Sequence, residues 1–110
     1  MEERLGKIEK VRFGLGGYQD AMLGLSVMLS GDGWGVGDFK GSWSLMIDCT
    51  ERCKWTVEDR DKQFAETMRF VNQLLTKAKK ESVDELKGIP VRVKFEGSAL
   101  KSWEILAEVL

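Results

Sequence analysis

The chain has 110 residues, 43% hydrophobic and 32% charged, with a formal net charge of −1. That is one domain, residues 1–110, with enough apolar side chains for a core, and it excludes a disordered polymer. Histidine is absent, which removes Ser/His/Asp and Cys/His catalytic pairings, histidine-ligated zinc and the usual base at physiological pH.

The first strand is expected over residues 5–15, where Val11, Phe13 and Leu15 alternate with Arg12 and Gly14 at the period of a half-buried strand. Ile8 is out of phase with that face, which predicts a bulge near Glu9–Lys10. Gly16-Gly17-Tyr18-Gln19-Asp20 reads as a hairpin turn, since adjacent glycines tolerate positive φ. A second strand from Ala21 to Leu29 puts Leu23, Leu25, Val27 and Leu29 on one face. Met22, Gly24, Ser26 and Met28 lie on the other. The small residues of that second face leave room for close cover by the helix or by a second subunit.

The run Gly31 to Gly41 holds five glycines, two carboxylates (Asp32 and Asp38) and two aromatics (Trp34 and Phe39). Glycine loses the most backbone freedom on ordering, so the run reads as a loop, followed by a third strand from Trp43 to Asp48. Thr56 to Lys80 is the one long helix. Thr56 suits its N-cap, acids fill its first turn and Lys77, Lys79 and Lys80 its last, and Phe64, Met68, Val71, Leu75 and Ala78 form an apolar stripe. Ser82 to Glu85 is a capping-box pattern for one more turn, closed by Gly88 and Pro90. Pro90 to Glu96 alternates as a strand. Leu100 to Leu110 is read as a strand after the turn at Gly97-Ser98. The order β-β-β-α-β-β predicts an α+β fold, a largely antiparallel sheet of four to five strands with one long helix on one face.

Neither half of the chain is basic. Residues 1–55 carry seven Lys/Arg against eight Asp/Glu, and residues 56–110 ten against ten. Nucleic-acid binding driven by phosphate neutralisation is therefore not expected, unless folding assembles a local basic patch. The start Met1-Glu2-Glu3-Arg4 is not a secretory signal, and Ala21–Leu29 is too short to span a bilayer. A cytoplasmic, non-membrane protein is expected, with Cys49 and Cys53 reduced. Their C-x₃-C spacing, two thiols without histidine, is poor for zinc.

Gly14 to Asp20, Gly33 to Phe39, Lys54-Trp55-Thr56, Leu86 to Pro90 and Leu100 to Trp103 together resemble a group of short uncharacterised proteins encoded by bacteriophages and prophages. The resemblance spans nearly the whole chain and brings no catalytic residues with it. It implies a small accessory protein in an infected bacterial cell, of the kind that counters host defence.

Function is expected around the glycine-rich run. Glycines let backbone N–H groups approach an anion, and an indole face can stack a planar group. No P-loop spacing is present. The expected ligand-binding residues are Tyr18, Gln19, Asp20, Trp34, Gly35, Gly37, Asp38 and Phe39, holding a small polar ligand such as a nucleotide without catalysis, cofactor or metal. A bland reading tucks Trp34 and Phe39 into the core. Two other readings stand beside it: an inhibitor docking on a host protein, and a metal-dependent enzyme built on Asp32 or Asp38. Tyr18 and Trp34 fall at opposite ends of one straight strand, so a shared pocket would need a homodimer or higher homo-oligomer.

Overall fold

The computed structural model describes residues 2–47 and 54–109. Cys49 and Cys53 lie outside the described residues. Five strands form one antiparallel sheet: β1 (Glu2–Gly16), β2 (Met22–Gly31), β3 (Trp34–Trp43), β4 (Pro90–Glu96) and β5 (Ala99–Ile105), in the spatial order β3-β2-β1-β4-β5. One helix, α1 (Val57–Ala78), connects β3 to β4. The extents of 47 × 33 × 19 Å are those of one sheet with one covering layer. This is the predicted α+β architecture.

β1 is central because it is long enough to serve two neighbours. Its first part, Glu2 to Lys7, pairs with β4, and Lys7 to Gly16 pairs with β2. The changeover is at Ile8, whose N–H donates to the Ile89 carbonyl (3.0 Å) and whose carbonyl accepts from Gly88 N–H (2.7 Å). The β1–β2 register shifts between Ile8 and Lys10, the expected bulge at Glu9. The extra residue returns Ile8 to the same face as Val11, so that face is apolar through the break.

The core lies between that face and α1. Ile8, Leu25, Leu29, Leu86, Val91 and Val93 are fully buried, joined by Leu74 and Ala78 of the helix. Thr56 caps α1 in a capping box with Asp59, and Lys79 closes it in the left-handed conformation. Of the predicted helix stripe, Ala78 is in the core and Val71 and Leu75 pack against it, but its centre is turned toward Thr67 and Leu74. Thr67, Leu74 and Ala78 are buried, whereas Met68 is 51% exposed. Thr67 can take a core position because its hydroxyl donates to the Gln63 carbonyl at 2.8 Å, leaving no unpaired polar group. Buried Ser42 of β3 reaches the Arg60 carbonyl at 2.9 Å, tying the edge strand to the helix.

Three local expectations are corrected. The third strand is not Trp43–Asp48. It is Trp34–Trp43, inside the run read as a loop, and β2 passes into it through the two residues Asp32 and Gly33. Gly33 supplies the positive φ of 79° that a tight hairpin turn needs. The final strand ends at Ile105 and gives way to a 3₁₀ turn over Ala107–Val109. After Ser82 the turn is 3₁₀, and the Ser82 hydroxyl meets the Asp84 and Glu85 carboxylates rather than the turn's backbone.

Candidate functional site

Because Gly31–Gly41 is mostly strand, its side chains alternate between two faces of the sheet. Residues 34 and 39 differ by an odd number, so they point opposite ways. Trp34, Val36, Asp38 and Lys40 pair with Gly31, Leu29, Val27 and Leu25 on the helix side, while Gly35, Gly37 and Phe39 pair with Ser30, Met28 and Ser26 on the helix-free side.

On the helix side, the Trp34 indole lies over two glycines. A Cβ built on Gly31 would come 2.4 Å from its Nε1, and one on Gly6 2.8 Å from its ring carbons. Its ring meets Phe95 edge-on, with centroids 5.4 Å apart at 85°. Trp34 is half-buried and borders a hollow of about 360 Å³ with Arg4, Val36, Phe95 and Ser98. Asp38 is otherwise engaged: its Oδ2 accepts from the Trp103 indole N–H at 2.8 Å. Asp38 is on β3 and Trp103 on β5, the two edge strands, so this bond bridges the edges of a curled sheet by side chains. Phe70 of α1 sits edge-on to Trp103 (6.0 Å, 88°), and the Lys40 ammonium stands 5.3 Å from the Phe70 ring centre.

The helix-free side is laid out in cross-strand rows. From β1 to β3 they read Gly16-Met22-Trp43, Gly14-Gly24-Gly41, Arg12-Ser26-Phe39, Lys10-Met28-Gly37 and Lys7-Ser30-Gly35. The middle of this surface has almost no side chains. Gly24 and Gly41 face each other so closely that a Cβ on Gly24 would lie 2.2 Å from the Lys40 carbonyl oxygen, and one on Gly41 2.4 Å from that of Leu23. Phe39 leans along this glycine floor, its ring 3.3 Å from a Cβ built on Gly16 and 3.1 Å from one on Gly17. Beside it lies a hollow of about 380 Å³ lined by Lys10, Arg12, Ser26, Met28, Gly37 and Phe39, and bordered by Asp38, whose carboxylate is turned to Trp103. The Arg12 guanidinium rests over Gly14 and donates to the Leu15 carbonyl at 2.7 Å.

No carboxylate stands in any of those five rows. Outward carboxylates cluster at the other half of the sheet, around Arg92, which pairs with Glu3 (3.2 Å), Glu104 (3.2 Å) and Glu108 (3.4 Å). Among the described residues, Lys7, Lys10 and Arg12 form no ion pair. Among the same residues, no three carboxylates or thiols gather where they could hold a metal ion.

Tyr18, Gln19 and Asp20 form a short 3₁₀ turn between β1 and β2, with Gln19 and Asp20 at positive φ and Tyr18 68% exposed. This turn is at the opposite end of β2 from Trp34. It follows Gly17, which abuts Phe39 and Met22. The structure thus brings Gly35, Gly37 and Phe39 to one face with the Tyr18 turn at its end, and turns the side chains of Trp34 and Asp38 to the other, although Asp38 borders the Phe39 hollow and Gly35 borders that of Trp34. Lys10, Arg12 and Met28 join that surface without having been expected there. The alternation of β1 set Arg12 opposite Val11 and Phe13, and that of β2 set Met28 beside Gly24 and Ser26. Only the strand order and the bulge put those faces beside Phe39.

No protein-family model, curated protein or solved structure matches the chain.

Proposed function

We propose that this is a non-catalytic binding protein whose ligand seat is the hollow beside Phe39 on the helix-free face. The ligand is small and polar, with a planar ring for Phe39 and an anionic group for Lys10 and Arg12; a nucleotide has both. The observation that carries this reading is the pairing of a half-buried aromatic ring with two cations that no carboxylate pairs among the described residues, Asp38 at the border being turned to Trp103. Aromatic stacking contributes about 1–3 kcal/mol per base, and Arg and Lys supply the anion contact. The glycine floor leaves the space open. The phage resemblance gives the context: an accessory protein in a bacterial cytoplasm that captures a ligand to counter host defence.

Calorimetry with a panel of nucleoside mono- and triphosphates tests it. Saturable binding, weakened about tenfold in Phe39→Ala, is expected. No heat with any member overturns the reading. Binding unchanged in Phe39→Ala removes the seat from this face.

A second reading, docking on a host protein, is favoured by one observation. Leu45 and Met46, just beyond β3, are 71% and 86% exposed, and adjacent exposed apolar side chains suit a protein contact. A stoichiometric partner lost in Met46→Asp, with nucleotide binding intact, would separate the two.

A further inference from the structure

We infer that the ligand of this face is single-stranded nucleic acid, several nucleotides threading across the rows rather than one seated in the hollow. This rests on the Phe39 seat proposed above and extends it.

The cations continue past the seat. Lys10 and Arg12 are two residues apart on one face of β1, a rise of roughly 6.7 Å, and Lys7 follows across the bulge, opposite Ser30. A second hollow of about 300 Å³ shares the residue Lys10 with the first. It is lined by Lys7, Lys10, Lys87 and Gly88, with Ile8 and the bulged Glu9. Glu9 is the one acid on this track, against four cations counted with Arg12. Aromatic surface also continues. Trp43 lies four residues beyond Phe39 on the same face, roughly 13 Å along the strand, and stacks on Trp55 with centroids 5.8 Å apart at 13°.

Charge selects the occupant. The chain is neutral to within one unit, yet folding sorts its charges, leaving the five cross-strand rows without a carboxylate, with Glu9 beside them. A chain of phosphates matches a line of cations, and planar bases match the ring and the shallow hollows. A second copy of this protein would set Lys7, Lys10 and Arg12 against like charges wherever the same rows overlapped. The length from Lys7 to Gly16, roughly 30 Å, suits the smallest single-strand sites, about four nucleotides.

Fluorescence anisotropy of the intact protein with labelled oligothymidylates of two to twelve nucleotides tests this, with thymidine monophosphate, a matched duplex and polyglutamate as competitors. Affinity should rise with length to about four nucleotides. The slope of log K on log salt should be about −3, from the four cations at about 0.7 each for a single strand. Lys10→Ala should reduce that slope by about 0.7. Phe39→Ala should weaken binding about tenfold at unchanged slope, and Phe39→Tyr should restore it. Circular dichroism confirms that each variant is folded. If monophosphate competes as well as the dodecamer, the strand is overturned and the seat stands. If duplex or polyglutamate competes equally, base stacking is absent and the strand is again overturned. If neither monophosphate nor oligomer binds, seat and strand fall together.

Discussion

At the scale of single residues, the glycines of β2 and β3 are not interchangeable. Gly24 and Gly41 are closed to any side chain, since the would-be Cβ meets main-chain atoms that cannot swing away. Gly24→Ala should cost about 1–3 kcal/mol as overpacking. At Gly35 the nearest atom is 3.8 Å away, so Gly35→Ala should be neutral or slightly stabilising. Urea unfolding of the two variants checks the contrast, and equal losses would show that the floor is not set by backbone approach. Asp38 belongs to the same scale. Removing its carboxylate leaves the Trp103 indole N–H without its acceptor. Asp38→Ala should therefore cost about 1–3 kcal/mol, and Asp38→Asn, which keeps an acceptor oxygen, less.

At the scale of elements, α1 and β3 show how local signals succeed and fail. The helix was legible because capping, charge placement and periodicity all agree. Thr56→Ala should remove about 1 kcal/mol, read as a lower urea midpoint. The exposed Met68 shows the limit. A stripe through Met68, Val71 and Leu75 and one through Thr67, Val71 and Leu74 are both helical, and the sheet's position turns Met68 out and Thr67 in. β3 was hidden for another reason. Glycine has low strand propensity, and Trp34-Gly35-Val36-Gly37 alternates large with absent side chains, a pattern that a loop also shows. At the far end of the same strand the absent side chain of Gly41 is useful, because it lets β3 close on Gly24 of β2, and Trp34 covers Gly6 and Gly31 on the other face.

At the scale of the whole molecule, the sheet is covered on one face by α1 and curled so that Asp38 and Trp103 join its edges. Its charges are sorted: Arg92 gathers carboxylates at one half, and Lys7, Lys10 and Arg12 form no ion pair among the described residues at the other. The open face is the proposed site, so covering it with a second copy would compete with ligand. Light scattering should give a mass near 12.4 kDa at low concentration. A dimer would have to lose mass when oligonucleotide is added for the site to stand.

The order of elements, the bulge, the long helix and its caps follow from residues close together in the chain, because hydrogen bonding, capping and alternation act over a few positions. No local signal states which strands lie side by side. Strand order and register are set by burying the apolar side chains of all five strands on one face, under one helix, and they are what collect Lys10, Arg12 and Met28 around Phe39. A net charge is a sum over the chain, whereas a charged face is a matter of where the sheet turns each residue, and only the tertiary structure decides that.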